Sequence, residues 1–362
     1  MFNIRIKTLS LLKSVNIDFI YMHEFWDKQS WATGFSEKRI KTTEPQKLPD
    51  DFEWSTHSLE SIYEFLKENY VSDDDFKLRY TLESLRWAIE VPGHQNICIN
   101  DKRTQKIIGL ISLTPFTMKL NDKEARSVQV NFLCVHKDYR NNKLVGYLVT
   151  EAKRITEIKK RNQSIATIHN SIPGSILKAS YWHRLINVSK LSKCGFYETN
   201  QPKSKMFEIR GRSYFRKMTP KDVPKVTQIL KEYFKNFKIA PVVNESWVKH
   251  WLLPRDNVIY SYVNDETNDF VSFYSIPYDT VDKSEIINQA YLFYMTGDNF
   301  NDAFLIAKNE GFDVFNTLDV VHDEDILKKH KFLRGSGYVN YHIFDWEQNF
   351  EINKTDINIK IP

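Results

Sequence analysis

Cysteine is scarce in this sequence, with only three residues, Cys98, Cys134 and Cys194, in a chain of 362. They stand far apart and form no CxxC pair, which excludes a disulfide framework and a cysteine metal site. We therefore expect a reducing compartment, the cytoplasm, and no bound metal. Uninterrupted apolar runs of ~18 residues are also absent, and polar residues interrupt the amino-terminal segment, so neither an integral membrane segment nor a signal peptide is expected.

A concentrated charge of one sign is missing as well. Lys and Arg number 51 against 46 Asp and Glu, a net charge of +5. Glu157 interrupts the basic stretch from Lys153 to Arg161, as expected of a solvated helix face. Without a basic stripe or a recognisable module, nucleic acid is not an expected partner. The weak positive charge is compatible with binding of a phosphorylated small ligand. Aromatic residues make up 14%, which fits either deep apolar pockets or a large β-containing core.

The length of the chain predicts two domains, or one fold with two similar halves, because single domains usually have ~150 residues. Apolar residues at helical spacing predict helices over 58–68, 82–88 and 142–160. Runs rich in β-branched and aromatic residues predict strands from Lys106 and from Ser127. The order of these elements indicates a mixed α/β fold.

The second half of the chain repeats features of the first. QILKEYF echoes EFLKENY, FVSFYSIP echoes GLISLTP and YLFYM echoes FLCV, each about 160 residues later. LKKHKF near 327 echoes LSKCGF near 191. Thr219, Pro220 and Asp222 are favourable N-cap, N1 and N3 residues for the helix that opens the repeat. We infer a duplicated α/β unit joined near 205–215, with halves 1–208 and 209–362.

The segment Asn131–Gly146 combines a strand, a loop and a helix start, with Arg140 just before the helix. Backbone N–H groups at a helix N-terminus bind pyrophosphate, and the helix dipole strengthens this binding. The arrangement resembles the acyl-CoA site of GCN5-related N-acetyltransferases, although the loop has no glycine before Gly146.

A narrower resemblance is much closer. NFLCVHKDYRNNKLVGYLVTEAKRI resembles the NFLCVHKKLRSKRL-like segment of the N-myristoyltransferases. Five further segments resemble segments of that family and occur in the same order. EFWDKQS resembles FWDTQP, ENYVSDDD resembles ENYVEDDD, and YWHRLIN resembles YWHRSLN. GFDVFNTLD resembles KGFDVFNALD, and GSGYVNYHIFDW resembles GDGNLQYYLYNW. The matches span residues 24 to 346, so by resemblance the chain is identified as a member of this family.

The resemblance implies a duplicated N-acetyltransferase-like fold, in which two pseudo-symmetric halves form one saddle-shaped sheet with surrounding helices. The N-terminal half is expected to bind acyl-CoA, and the C-terminal half to bind peptide and supply the terminal carboxylate. The implied activity is that of a glycylpeptide N-tetradecanoyltransferase, a monomer that transfers myristate from myristoyl-CoA directly to the N-terminal glycine of a protein or peptide. Myristoyl-CoA is then a co-substrate, and coenzyme A is released.

The same resemblance assigns the catalytic groups. The backbone N–H groups of Phe132 and Leu133, at a strand bulge, form an oxyanion hole for the thioester oxygen; in other enzymes one lost donor costs about 2.7 to 4 kcal/mol. The carboxylate of Pro362 takes the proton of the glycine ammonium, and Thr167 orients or relays it. Cys134 is expected to be buried packing rather than a nucleophile.

Two binding sets also follow from the resemblance. Coenzyme A is assigned to Phe25, Trp26, Asn131, Phe132, Leu133, Cys134, Val135, Arg140, Asn141, Asn142, Lys143, Leu144 and Val145. The peptide is assigned to Tyr70, Asp73, Asp74, Asp75, His169, Tyr181, His183 and Ser336. In the family the acidic run attracts a basic substrate residue, and the histidine of YWHR meets a serine that is common near the substrate's start.

Two departures from the family pattern change what is expected of the peptide. The family's Tyr-Thr-Ala-Gly reads Ala166-Thr167-Ile168-His169 here, with an imidazole beside the incoming glycine, and Ser336 replaces an acidic residue. We therefore expect an altered peptide preference. Two alternatives remain open: an acyltransferase for shorter chains or lysine side chains on the same fold, and a catalytically silent member that binds acyl-CoA or acylated peptides.

Overall fold

The computed structural model describes residues 5–6, 43–70, 76–169, 172–198, 204–280, 285–346 and 350–362. Helices and strands alternate along the chain, and the mixed α/β class is confirmed. Among these residues, no helix is both long and apolar enough to cross a membrane.

The described part of the chain contains eight α-helices, three of which confirm those predicted from apolar spacing. They are α1 (Leu59–Asn69), α2 (Leu82–Ile89), α3 (Leu144–Ile158), α4 (Val188–Lys193), α5 (Val223–Phe234), α6 (Glu245–Leu252), α7 (Phe300–Asn309) and α8 (Glu324–Lys329). Short 3-10 helices span Lys137–Asn142, Ser204–Phe207, Pro220–Asp222 and Lys354–Asp356. Side-chain caps begin several helices; Thr81, for example, forms a reciprocal capping box with Ser84 at the start of α2.

Strands make up the rest of the regular structure, and two of them extend the runs predicted from Lys106 and Ser127. The strands are β1 (Arg5–Ile6), β2 (Phe52–Ser55), β3 (Phe76–Leu78), β4 (Gln95–Asp101), β5 (Ile107–Leu120), β6 (Lys123–Val135), β7 (Gln163–Ile168), β8 (Leu177–Leu185), β9 (Tyr197–Glu198), β10 (Arg216–Lys217), β11 (Ile239–Pro241), β12 (Ile259–Val263), β13 (Phe270–Ser275), β14 (Tyr278–Thr280), β15 (Ile286–Ile287), β16 (Gln289–Met295), β17 (Val314–Leu318) and β18 (Leu333–Phe344).

One large mixed sheet organises the described residues. Its order is β10-β12-β13-β16-β17-β8-β18-β7-β6-β5-β4-β2, with β11 paired to β5. The pairs β6·β7 and β16·β17 are parallel, and the other pairs of this sheet are antiparallel. Two small sheets, β1-β9 and β15-β14-β3, lie beside it.

The duplication predicted from the sequence is visible in this topology. Read inward from the two edges, the sheet runs β2-β4-β5-β6-β7 on one side and β10-β12-β13-β16-β17 on the other. On both sides two helices separate the first and second strands, and one helix connects the parallel fourth and fifth strands. A register shift interrupts the pairing of the third and fourth strands on both sides. The two halves are therefore built to one plan.

The halves interlock at the centre of the sheet. Strand β8 pairs with β17 of the other half, and β18 lies between β8 and β7. Consequently the middle of the sheet is formed by both halves together. The predicted boundary at residues 208 and 209 stays a prediction.

Helix α3 packs closely on the first half of the sheet. A Cβ atom on Gly109 of β5 would lie 3.2 Å from Leu148 Cδ1 of α3, so glycine permits the close approach. Leu144, Val145 and Leu148 are buried in the same cluster as Ile99 and Ile111 of the sheet. This packing holds the start of α3 against the end of β6.

Candidate active site

A β-bulge lies in β6 at the position where the oxyanion hole is expected. Leu110 of β5 faces Cys134, and Ser112 faces Asn131, with a register shift between them. Two residues of β6, Phe132 and Leu133, therefore stand opposite one residue of β5. Phe132 has a φ of +52°, a left-handed conformation that is costly for a bulky side chain. Such a bulge disrupts the regular ladder and redirects the backbone N–H groups.

The loop after β6 leads into a helix start without a side-chain cap. The 3-10 helix Lys137–Asn142 is followed by Lys143 in a left-handed conformation, with φ +56°, and α3 begins at Leu144. The N-cap residue Lys143 makes no side-chain hydrogen bond to the first turn. The Gly146 N–H already donates to the Lys143 carbonyl at 3.1 Å. A helix start without a side-chain cap is nevertheless of the kind that binds an anion.

The predicted coenzyme A residues surround this loop. Arg140 is half-buried, Asn141, Asn142 and Lys143 are exposed, and Leu144 and Val145 are buried. In β6, Asn131, Cys134 and Val135 are buried, and Leu133 is half-buried. The Asn131 amide nitrogen has no hydrogen-bond partner among the described residues. Burial raises the pKa of the Cys134 thiol to about 12, opposed by the nearby charge of Arg140, so this thiol is protonated and a poor nucleophile.

Two tyrosine rings pack against Phe132 at the bulge. The rings of Tyr70 and Tyr80 each lie 5.5 Å from the Phe132 ring and 6.1 Å from each other. Burial raises the pKa of both phenols well above the ordinary value. Tyr70, predicted for the peptide site, is therefore brought against a residue predicted for the oxyanion hole.

A cavity opens at the centre of the sheet, where the two halves interlock. It contains about 390 Å³ of empty space, part of which is open to solvent. Its walls come from β7, β8, β13, β16, β17, β18 and the end of the chain: Thr167, Tyr181, Tyr274, Tyr291, Leu292, Asn316, Thr317, Leu318, Val339, Tyr341, Lys360 and Ile361. Thr167 and Tyr181, both predicted site residues, thus face the same space. The wall combines aliphatic and aromatic side chains with hydroxyl, amide and amine groups, and such convergent polar groups orient ligands in binding sites.

The last residues of the chain are anchored inside the protein. Ile357 and Ile359 are buried, and Ile357 forms a bridge with Ile239 next to β5. The Asn358 N–H donates to the Ile239 carbonyl at 2.8 Å. The buried Tyr341 hydroxyl donates to the Ile359 carbonyl at 3.0 Å. These contacts bring Lys360 and the half-buried Ile361 to the cavity wall, and the half-buried Pro362 follows directly.

His183 lies behind the cavity rather than on its wall. It is 3% exposed, and its Nδ1 is 2.7 Å from Oδ1 of Asn316, which does line the cavity. Asn316 in turn donates through Nδ2 to Gln289 Oε1 at 2.7 Å. Burial lowers the pKa of His183 to about 4, and its Nε2 has no partner among the described residues. Direct contact of His183 with a substrate stays a prediction.

The two departures from the family pattern occupy different surroundings. His169 follows Thr167 at the end of β7; its ring stacks on Tyr338 at 4.5 Å, and its Nδ1–H donates to the Tyr338 carbonyl at 2.9 Å. Ser336 is exposed in β18. Neither residue is part of the cavity wall.

Two predicted coenzyme A residues and three predicted peptide residues belong to segments that the structure does not describe. Phe25, Trp26, Asp73, Asp74 and Asp75 lie outside the described residues. Within the described ranges, no group of three or more His, Cys, Asp or Glu side chains is arranged to hold a metal ion.

Sequence comparison identifies matches along most of the chain. Residues 35–179 match the family "Myristoyl-CoA:protein N-myristoyltransferase, N-terminal domain", and residues 186–360 match the corresponding C-terminal domain family. The chain is 33% identical to glycylpeptide N-tetradecanoyltransferase 1 of Arabidopsis thaliana, over 93% of this chain and 88% of that protein. It is 34% identical to the glycylpeptide N-tetradecanoyltransferase of Plasmodium falciparum, over 84% and 82% of the two chains.

Structural comparison agrees with the sequence matches. Two structures of Saccharomyces cerevisiae N-myristoyltransferase with bound myristoyl-CoA superpose with TM-scores of 0.83 and 0.80. The first is 24% identical and covers 93% of this chain and 94% of that chain. The second is 27% identical and covers 90% and 93%.

Proposed function

This chain belongs to the myristoyl-CoA:protein N-myristoyltransferase family, and from that premise we propose how its residues carry out the reaction. It is an acyltransferase that moves a tetradecanoyl group from myristoyl-CoA to the N-terminal glycine of a protein or peptide. Myristoyl-CoA is consumed as a co-substrate. The glycine nitrogen attacks the thioester carbonyl carbon, the carbon–sulfur bond breaks, and the proton lost by the amine balances the proton gained by the departing thiolate.

The bulge in β6 is the observation that carries the proposal. Negative charge develops on the thioester oxygen in the transition state, and preorganised N–H donors stabilise it. Phe132 and Leu133 supply those donors through their backbone. The left-handed conformation of Phe132, buried under Tyr70 and Tyr80, supports this role, because strained residues held by their surroundings concentrate at functional sites.

Coenzyme A is held by the loop and helix that follow the bulge. The N–H groups of Asn141 to Leu144 and the positive end of the α3 dipole attract the pyrophosphate. Arg140 and Lys143 add charge-assisted hydrogen bonds to phosphate oxygens. Asn131, with an amide nitrogen that has no partner in the described structure, is suited to a polar group of the same ligand. Phe25 and Trp26 complete the proposed site.

The base is the carboxylate of Pro362, the last residue of the sequence. An ordinary α-carboxyl with a pKa near ~3.5 is a weak base for an α-ammonium near ~8, an uphill transfer of roughly 6 kcal/mol. Removal of both groups from water when the substrate binds would favour their neutral forms and so close the gap. Residues 357–360 are buried, Ile361 shares the cavity with Thr167, and the half-buried Pro362 is its neighbour, which supports this assignment. Thr167 orients or relays the proton.

The peptide enters the cavity from the side of Tyr70, with Tyr181 on its wall and His169 and Ser336 farther out. His183 is proposed to act through its free Nε2, and Asp73, Asp74 and Asp75 to attract basic substrate residues. We further propose a monomer in the cytoplasm. The buried residues Cys98, Cys134 and Cys194 form no disulfide with one another, which supports a reducing compartment.

The experiment that tests this function offers acyl-CoAs of graded length to the protein with a glycine-starting peptide, and measures the product by mass spectrometry. Each buried CH₂ contributes ~0.8 kcal/mol until the pocket is full, so tetradecanoyl-CoA should exceed acetyl-CoA and palmitoyl-CoA by at least about tenfold in kcat/KM. The same peptide with an acetylated glycine is the matched control and should give no product.

Three outcomes would contradict the proposal. Equal rates with acetyl-CoA would indicate a shorter-chain enzyme. Acylation of the blocked control peptide would indicate a lysine-directed enzyme. Tight binding of myristoyl-CoA without any product would indicate a silent binding protein.

A further inference from the structure

Lys360 is the one charged residue among the twelve described residues that line the central cavity. It stands two positions before the end of the sequence and is 8% exposed. The other residues of the wall are tyrosines, threonines, an asparagine and aliphatic residues. A lysine is rarely buried to this degree unless an anion pairs with it.

The peptide group that joins Ile359 to Lys360 is held through both its carbonyl and its N–H. The Tyr341 hydroxyl donates to the carbonyl of Ile359, and the Lys360 N–H donates to the Tyr294 phenol oxygen. The side chain therefore starts from a defined point at the cavity rather than from a mobile terminus.

No counter-ion contacts the ammonium of Lys360 within the described part of the chain. The acid whose charge acts on Lys360 is Asp319, which forms no salt bridge with it. Both Asp319 oxygens are already engaged: Oδ1 accepts the Ser180 N–H at 2.7 Å, and Oδ2 accepts Lys354 Nζ at 2.7 Å. A buried cation at a ligand cavity thus lacks the anion that would normally accompany it.

We propose that Lys360 determines substrate specificity, by pairing with a carboxylate side chain, Asp or Glu, in the few residues that follow the substrate's glycine. This inference rests on the proposed function, since it assumes that the cavity receives the start of the substrate chain. The pairing supplies the missing counter-ion and forms a charge-assisted hydrogen bond in a site of low polarity.

The charge of Lys360 depends on pH near neutrality. Burial lowers its pKa to about 7, partly opposed by Asp319. Asp319 and His322 interact electrostatically with Lys360, and the Tyr294 phenol accepts its backbone N–H. Tyr341 shares the cavity wall with it, and Lys354 pairs with Asp319. Burial lowers the pKa of His322 to about 4 and raises that of both phenols, so these three groups stay neutral between pH 6 and 8.5. A preference for acidic peptides should therefore be strongest below pH 7 and fade above it.

The test compares glycine-starting peptides that are identical except for Asp, Asn or Lys at one of the five positions after the glycine. The acyl donor is myristoyl-CoA, and kcat/KM is measured at pH 6.5 and pH 8.5. Binding of the same fluorescently labelled peptides is measured separately, without turnover. We compare the wild type with Lys360→Met, which keeps an unbranched chain of similar length, and with Lys231→Met, which removes one exposed charge on α5.

The expected result is a preference for Asp over Asn of about tenfold at one position at pH 6.5. It should shrink at least threefold at pH 8.5, disappear in Lys360→Met and persist in Lys231→Met. Three results would overturn the proposal: no position favours Asp; the preference survives in Lys360→Met; or Lys360→Met slows all peptides equally, which would assign the amine to proton transfer.

The same experiment distinguishes an error in the role of Lys360 from an error in the proposed function. If Asn peptides are acylated without any Asp preference, only the role of Lys360 is refuted. If no peptide is acylated, the proposed function is refuted, and the binding measurement alone decides whether Lys360 selects acidic peptides.

Discussion

Replacing Lys360 with methionine should stabilise the folded protein, most strongly at neutral and mildly acidic pH. The pKa of this amine falls from 10.5 to about 7 when the chain folds, because the charged form is buried. Between pH 7 and pH 10 the unfolded chain holds a proton on Lys360 that the folded chain has released. Stability therefore rises with pH across this range and reaches its lowest plateau below pH 7.

The magnitude follows from that fall in pKa. At about 1.4 kcal/mol per pH unit, the buried amine costs up to about 5 kcal/mol of folding free energy at pH 7 and below. At pH 9 the cost falls to about 2 kcal/mol. Lys360→Met removes this cost and leaves an apolar side chain that packs well in irregular spaces. The variant should thus exceed the wild type by several kcal/mol at pH 6.5 and by much less at pH 9.

Urea unfolding followed by tryptophan fluorescence at pH 6.5, 7.5, 8.5 and 9 measures this difference. The series stops at pH 9, because the buried tyrosines have raised pKa values and add their own dependence near pH 10. Lys231→Met is the control for removing one positive charge and should follow the wild-type curve. Two results would show that the buried amine does not destabilise the fold. One is a Lys360→Met protein that is less stable than the wild type, and the other is a difference in unfolding free energy that does not change with pH.

Three further predictions concern single side chains near the site. Cys134→Ala should keep at least about half of the wild-type turnover, because its thiol has a pKa of about 12 and takes no part in the chemistry; loss of the acyl product would contradict this. Arg140→Ala should raise the Kd for myristoyl-CoA about tenfold, as measured by calorimetry, and an unchanged Kd would remove Arg140 from the phosphate site. His169→Gly should raise kcat/KM several-fold for peptides with a bulky residue after the glycine, since it removes the ring that stacks on Tyr338; an unchanged peptide ranking would show that His169 does not face the substrate.

Local patterns predicted the elements and the duplication well, because both depend on short segments. Apolar spacing predicted α1, α2 and α3 to within one or two residues at most ends. The strand that carries Phe132 was also evident, and the structure has a bulge there. Turn and helix signals such as Thr219 and Asp222 act over a few residues, which a sequence shows directly.

Contacts between distant segments could not be predicted in the same way. The crossing of β8 and β18 at the centre depends on pairing partners far apart in the chain, and no local periodicity encodes it. Asn316 lies in the string GFDVFNTLD, but its place beside His183 appears only once β17 pairs with β8. Lys360 looks like any lysine near a terminus, and only the fold reveals that it is buried at the cavity.

Two semisynthetic proteins that differ only at Pro362 show whether the carboxylate at the end of the chain is the base. One ends in the carboxylate and the other in the carboxamide, so folding and the acyl-CoA site of the first half are matched. The measurements are single-turnover transfer of the tetradecanoyl group to a glycine-starting peptide and the Kd for myristoyl-CoA. If the carboxylate is the base, the carboxamide should slow transfer by about 100-fold or more while the Kd changes less than about twofold. Equal transfer rates in the two proteins would contradict this assignment.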